Sequence, residues 1–209
     1  VLGSKNESKS LCTPDKCPGF VYCQEGLCAG IDEAGRGPLA GPVVAAALII
    51  NPKELVSEIR DSKALSPKLR EELYAYLISR ARAWAISSVG PRTIERINIL
   101  NASLRAMRQA VQKLKLRPKI LIVDGPYAIP KLDIPQIPLI DGDVRCPLVG
   151  AASILAKVTR DRIMDHYHKL FPQYGFDRHK GYPTEEHRKA LRQFGPSPIH
   201  RRNFKGVGE

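Results

Sequence analysis

Two rhythms of apolar residues alternate along this chain. Short dense runs at residues 28–32, 43–50, 82–89 and 119–123 are rich in Val, Ile and Ala and have strand length. Between and after them, apolar positions recur at the helical period. Leu69, Leu73 and Leu77 repeat every fourth residue behind Ser66-Pro67, a helix-opening pair. Ile94, Ile97, Leu100, Leu104, Met107, Val111 and Leu114 follow Gly90-Pro91 and predict one long helix. Asn51-Pro52 opens a short helix, with Pro at the first position. A proline-rich connection (Pro126, Pro130, Pro135, Pro138) leads to a short strand around residues 139–140. Residues 151–170 and 184–192 read as helices, the latter with Glu185 and Glu186 in its first turn, where the dipole favours acids. The alternation gives an α/β class. Three early strands with little helix between them make the sheet mixed, five-stranded and flanked by helices, followed by a C-terminal helical segment.

Composition narrows the partners. The chain has 209 residues, a net charge of +12 and one Trp, with basic residues dense between Lys157 and Lys205. This favours a polyanion held through its phosphates over a single strand stacked on aromatic side chains. No apolar run approaches membrane-spanning length, and residues 1–10 lack the apolar segment of a signal peptide, so a cytoplasmic protein is expected. Residues 1–18 read as a flexible polar extension and 19–209 as one domain with its C-terminal helices and basic tail. Cys12, Cys17, Cys23 and Cys28 have the spacing C-x4-C-x5-C-x4-C. That spacing lacks the tight knuckles of a zinc site and reads as thiols of a reducing compartment, Cys28 packing at a strand start. A monomer with no obligate protein partner is expected.

The candidate chemistry lies at strand ends. Asp32 and Glu33 close the first strand and Asp124 closes the fourth. If these strands are parallel neighbours, the acids meet beyond their carboxyl ends, where α/β sheets build sites. Crowded carboxylates repel unless a cation lies among them. Hard oxygen ligands suit Mg²⁺ or Mn²⁺, and a metal pair facing a basic surface is the apparatus of phosphodiester cleavage. Asp-Glu before a glycine turn and Asp124-Gly125 are equally compatible with plain turn chemistry. Successive strand side chains point to opposite faces, so Asp32 and Glu33 can share a cation only if the strand bends, as Gly35 permits.

Gly30-Ile31-Asp32-Glu33-Ala34-Gly35-Arg36-Gly37-Pro38-Leu39-Ala40-Gly41-Pro42-Val43 resembles the signature of the bacterial ribonuclease HII family. Six further blocks follow in that family's order: Asp61-Ser62-Lys63-Ala64-Leu65-Ser66, Ile97-Asn98-Ile99-Leu100-Asn101-Ala102-Ser103, Val123-Asp124-Gly125, the stretch from Ala151-Ala152-Ser153 to Arg160-Asp161-Arg162, His179-Lys180-Gly181-Tyr182-Pro183-Thr184 and His200-Arg201-Arg202. The resemblance implies a ribonuclease H-like fold and a site of four acids, Asp32, Glu33, Asp124 and Asp143, holding two ions of Mg²⁺ or Mn²⁺. It implies cleavage of the RNA strand of RNA–DNA hybrids, and incision 5′ to single ribonucleotides in duplex DNA. Asp141 stands where the family commonly has a basic residue. Asp161 is a rival fourth acid, but Arg160 and Arg162 beside it favour a salt-bridge role. Gly35-Arg36-Gly37 resembles the family's ribonucleotide-sensing loop, and Tyr182 the tyrosine packed on the neighbouring sugar. Lys63, Lys157, Arg160 and Lys180 are candidate phosphate contacts. The alternatives are a ribonuclease HIII or junction resolvase of the same fold, or a non-catalytic duplex-binding module. The first should carry a folded N-terminal substrate-binding domain. The last would be hindered by its acids.

Overall fold

A computed structural model describes Cys23, residues 27–61 and residues 65–207. Lys63, Cys12, Cys17 and the extension at 1–18 lie outside the described residues. The sheet has the order β3-β2-β1-β4-β5. Strand β1 (Cys28–Ala34) pairs antiparallel with β2 (Val43–Ile49), which pairs antiparallel with β3 (Ala83–Val89). On its other side β1 runs parallel to β4 (Ile120–Asp124), with Ile31 opposite Val123, and β4 runs parallel to β5 (Gln136–Leu139). The mixed five-stranded sheet expected from the strand pattern is therefore present.

Helices cover both faces, which explains the uninterrupted apolar run of β2. Ala46 and Leu48 face one core, with Leu73 and Leu77 of α1 (Pro67–Arg80) and Leu148, Ile154 and Leu155 of α5 (Pro147–Leu170). Val43, Ala45, Ala47 and Ile49 face the other, with Ala102, Ala106, Met107 and Ala110 of α3 (Ile99–Gln112). The alternation is the two-residue period of a strand buried on both sides. Helix α5 crosses β1 so closely that a Cβ at Gly30 would lie 2.3 Å from the Leu148 carbonyl oxygen. A third, smaller core joins Leu39 and Ala40 to Met164, Tyr174, Phe176 and Leu191, seating α6 (Phe176–His179) and α7 (Glu185–Phe194) against the loop after β1.

Three boundaries differ from the sequence pattern. The long helix predicted after Gly90-Pro91 is two, α2 (Pro91–Ile97) and α3, broken at Asn98 with φ 63° and ψ 169°. The Asn98 side chain accepts the Asn101 N–H at 3.0 Å, capping the second helix. The periodicity hid this break because the apolar stripe resumes on the same face. The short strand β5 lies earlier than residues 139–140; it tolerates Pro138 because it is an edge strand. A one-turn helix, α4 (Gly142–Arg145), had no sequence signal. Among the described residues no helix is long and apolar enough to cross a membrane.

Candidate active site

The parallel register of β1 and β4 places the two acid-tipped ends side by side. Ligand oxygens of Asp32, Glu33 and Asp124 all lie within 4.8 Å of one another. Asp32 is buried, and its Oδ1 accepts the N–H of Glu33 at 2.6 Å. The Ser153 hydroxyl of α5 also bonds this carboxylate. Asp124 Oδ1 accepts the Gly142 N–H at 2.8 Å, so the turn into α4 fixes the third acid. Glu33 Oε1 faces Arg36 at 3.4 Å, while its Oε2 is buried without a hydrogen-bond partner.

Burial, then the neighbouring carboxylates of Glu33 and Asp124, hold Asp32 well above the usual carboxylate range. Burial, opposed by Arg36 and reinforced by Asp124, raises Glu33 to about 7. Three carboxylates forced together, with one buried oxygen unsatisfied, form a donor set that suits a hard divalent cation: all oxygen and multiply anionic, with Arg36 opposing only Glu33. Asp143 follows Gly142 in α4 and is buried, but its carboxylate is not part of this cluster of three. Asp141, its left-handed neighbour, is exposed. Asp161 bonds Lys157 at 2.8 Å and faces Arg70 at 3.7 Å, a salt-bridge role as its basic flanks suggested.

Beside the acids opens a cavity of about 350 Å³, lined by Glu33, the loop Gly35-Arg36-Gly37, Arg70, Ser153, Lys157 and Tyr182 among others. The structure thus gathers the loop, the tyrosine and one acid around one space. Tyr182 is 42% exposed, and a Cβ on Gly37 would meet its ring at 3.7 Å. Lys157 Nζ lies 5.9 Å from the centre of that ring. Lys180, expected as a phosphate contact, turns its Nζ to Asp165.

Arg160 corrects a sequence expectation. It is fully buried, and its guanidinium donates to the carbonyls of Pro42, Lys180 and Ala40 at 3.1, 3.0 and 3.1 Å. It braces the loop and has no face for a phosphate. Arg201, also fully buried, donates to Gly35, Arg36 and Gly41 at 2.6, 3.0 and 3.0 Å. Burial lowers both guanidinium pKa values, that of Arg201 to about 9. Sequence reasoning missed Arg201, Ser153 and Arg70 as parts of the site. The first two lay inside the resembling blocks, which was the available signal; Arg70 had none.

A mixed sheet of this order, with acids at the tips of its parallel pair and a basic exterior, defines a ribonuclease H-like nuclease. The family described as Ribonuclease HII matches residues 29–207. The chain is 55% identical over 184 residues to the ribonuclease HII of Pelotomaculum thermopropionicum, covering 86% of this chain and 68% of that one. It is 51% identical over 184 residues to that of Caldanaerobacter subterraneus subsp. tengcongensis, covering 87% and 76%. Its fold superposes on the crystal structure of ribonuclease H2 from Pyrococcus horikoshii OT3 with a TM-score of 0.72 at 29% identity, over 87% of this chain and 95% of that one. The chain belongs to the ribonuclease HII family; it is a hydrolase, an endonuclease that acts on nucleic acid. Membership and the acidic cluster agree with use of a divalent metal.

Proposed function

We propose that this enzyme cleaves the RNA strand of RNA–DNA hybrids and incises 5′ to single ribonucleotides in duplex DNA, leaving 3′-hydroxyl and 5′-phosphate ends. The observation that carries the reading is the shared position of Glu33: it belongs both to the acid cluster and to the cavity walled by Gly35, Gly37 and Tyr182. A sugar recognised in that cavity would lie beside the groups that act on its phosphate.

Asp32, Glu33 and Asp124 are the residues that would hold Mg²⁺ or Mn²⁺, with Asp143 the candidate fourth acid. A pair of such ions, when bound, supplies an activated water and neutralises charge at the leaving 3′-oxygen. Ser153 and the Gly142 N–H hold two of the carboxylates in place, so little reorganisation is needed. Arg201 holds the Gly35 and Arg36 carbonyls, so the N–H groups of the loop, with no Cβ at Gly37 to block the approach, are the main-chain groups that can reach a ribose and bond its 2′-hydroxyl. Tyr182 presents its ring to the adjacent sugar. Lys157, and Lys63 outside the described residues, are the remaining candidates for phosphate contact. To serve, Lys180 would have to leave Asp165, and Lys157, which lines the cavity, would have to leave or share Asp161. The net charge of +12 supplies a non-specific attraction for the duplex. A binding module without chemistry would have no use for three crowded acids.

The test is digestion of a DNA duplex carrying one ribonucleotide, with Mg²⁺ or Mn²⁺ and without either, against an all-DNA control. Wild type should nick once, 5′ to the ribonucleotide, only with metal. Asp124→Asn should lose cleavage by at least about a thousand-fold while binding the duplex as well or better, since a ligand and a negative charge disappear without a change of shape. Near-normal turnover of Asp124→Asn at saturating metal, or nicking of the all-DNA duplex, would defeat the reading.

A further inference from the structure

Behind Tyr182, away from the cavity, two buried imidazoles meet edge to edge. His187 Nε2 and His200 Nε2 are 2.9 Å apart. One must donate and the other accept, and the outer contacts decide which. His187 Nδ1 faces the Tyr182 carbonyl oxygen at 2.9 Å. A carbonyl only accepts, so this Nδ1 carries the proton and, in a neutral ring, Nε2 is bare. At the other end His200 Nδ1 faces the Ser197 N–H at 2.9 Å. An amide N–H only donates, so His200 Nδ1 is bare and its Nε2 carries the proton. The assignments start from opposite ends and agree in the middle: His200 Nε2–H donates to His187 Nε2, and His187 Nδ1–H donates to Tyr182. The Ser197 hydroxyl, 2.8 Å from His200 Nδ1, supplies a second donor there.

The ends of this relay are anchored to different parts of the sugar site. The main chain of His200 pairs with Ala40, and the bonds on either side, Gly41 N–H to Ile199 and Arg201 N–H to Leu39, are both 2.8 Å long. That segment is the base of the loop carrying Gly35–Gly37. The other end grips the carbonyl of Tyr182, whose second partner is the Thr184 N–H at 2.8 Å. His179 stacks on His187 at 4.5 Å and Phe176 meets it edge-on at 5.5 Å, so the ring cannot swing away. Burial favours the neutral rings that this pattern requires.

We propose that His187 and His200 are positioning residues for sugar recognition: their imidazole relay fixes the main chain at Tyr182 relative to the Gly35–Gly37 loop. The proposal rests on the reading of Tyr182 as a sugar contact. Neither histidine touches substrate. Each acts through the tyrosine, so its loss should misplace the ring rather than remove it, lowering turnover more than affinity.

Two measurements on the 209-residue chain test this. Long-range ¹⁵N–¹H correlation on histidine-labelled protein reads the tautomers directly. The relay requires Nδ1–H at His187 and Nε2–H at His200; the opposite tautomer at either overturns it. Steady-state cleavage of a single-ribonucleotide duplex then compares wild type, Tyr182→Ala, His187→Leu, the double variant and His187→Asn. His187→Leu should lower kcat roughly ten-fold with KM nearly unchanged, and should cost almost nothing further in the Tyr182→Ala background, because residues acting as one unit are non-additive. His187→Asn, whose amide nitrogen stands near the place of Nδ1 and can donate to the carbonyl but cannot reach His200, should recover only part of the loss. Additive losses, or full recovery with Asn, overturn the proposal. A silent Tyr182→Ala instead overturns the sugar-contact reading beneath it. If His187→Leu does not fold, the tautomers and the Asn variant decide.

Discussion

Replacing each glycine of the Gly35–Gly37 loop by alanine should separate the scaffold from the proposed recognition surface. At Gly35 the backbone has φ +101°, and an added Cβ would lie 2.2 Å from Arg160 Nε, 2.5 Å from Arg160 Cδ and 2.7 Å from the Pro42 carbonyl oxygen. The left-handed backbone costs a non-glycine residue about 1–2 kcal/mol. Overpacking against a side chain already bonded to three carbonyls adds about 1–3 kcal/mol. Together these predict a loss of about 2–5 kcal/mol for Gly35→Ala, or a fall in Tm of roughly 4–20 °C for a chain of this size. At Gly37 the nearest atom to an added Cβ is Tyr182 Cε1 at 3.7 Å, an ordinary contact. Gly37→Ala should leave Tm within about 2 °C of wild type, or raise it slightly by restricting the unfolded chain. Its cost should appear in cleavage, as a roughly ten- to hundred-fold loss on a single-ribonucleotide duplex, the scale of one displaced contact. Urea or thermal melts with the nicking assay on the same preparations give both numbers. A stability loss at Gly37 comparable to that at Gly35, or a Gly35→Ala protein that melts like wild type, would refute the division of roles.

Three further outcomes follow from the charges. Glu33 is raised from 4.5 to about 7 and Asp32 is raised as well, so the folded metal-free site retains protons that the unfolded chain would have lost. Divalent metal should therefore displace protons near pH 7, and more at pH 6.5 than at pH 8; calorimetry in two buffers of different ionisation enthalpy that shows no proton release would contradict this. His187 and His200 have the reverse sign. Burial depresses them to about 4 and about 3, with His179 and Arg188 lowering His187 further and His187 and His179 lowering His200. The unfolded chain takes up protons below about pH 6.5 while the folded rings resist, so stability should fall as pH drops from about 6.5 toward 4, by up to about 1.4 kcal/mol per pH unit for each ring. Urea titrations of wild type minus His187→Asn isolate this slope from the opposing carboxylates; equal slopes would exclude it. Lys157→Ala, which removes an ammonium that lines the cavity although it is paired with Asp161, should weaken duplex binding and reduce its salt dependence by up to about one unit of log–log slope; Lys180→Ala, whose ammonium is paired with Asp165 and is not part of that lining, should change the slope less.

The sequence was most informative where chemistry sits at the end of a regular element. Acids closing two strand-length apolar runs would meet if β1 and β4 were parallel neighbours, and the register makes them so. It was least informative where long-range geometry decides a side chain's fate. Arg160 lies one helical turn beyond Lys157, and nothing local separates a solvated charge from a buried one. The difference is made by carbonyls of Pro42 and Ala40, more than a hundred residues away in sequence. The histidines show the same limit. They were part of a basic C-terminal stretch in the sequence, yet His187 and His200 are buried among Phe176 and Tyr174, and that burial depresses their pKa values to about 4 and about 3. Asn98 shows a local limit: its side chain offers the backbone an alternative to a continuous helix, which a hydrophobic period cannot register.

The buried arginines explain how a loop with so few side chains could be selective. In the proposed reading the main chain of Gly35–Gly37 senses the 2′-hydroxyl, and a main-chain contact discriminates only if the main chain cannot move. Glycine works against that requirement, being the most mobile residue in the unfolded chain. Arg160 and Arg201 resolve the conflict by holding the loop from beneath through the carbonyls of Gly35, Arg36, Ala40, Gly41 and Pro42, with Arg160 also bonding Lys180 next to the tyrosine segment. Only a guanidinium offers a planar fork wide enough to serve three carbonyls at once. Lysine in either place would leave buried carbonyls unpaired and a concentrated charge poorly solvated. Removing either arginine should therefore loosen recognition without touching the substrate. The acid cluster, fixed separately by Ser153 and the Gly142 N–H, would keep its geometry. In the proposed reading, selectivity and chemistry are carried by different frames that meet at Glu33, one end of which lies among the acids while its backbone leads directly into the loop.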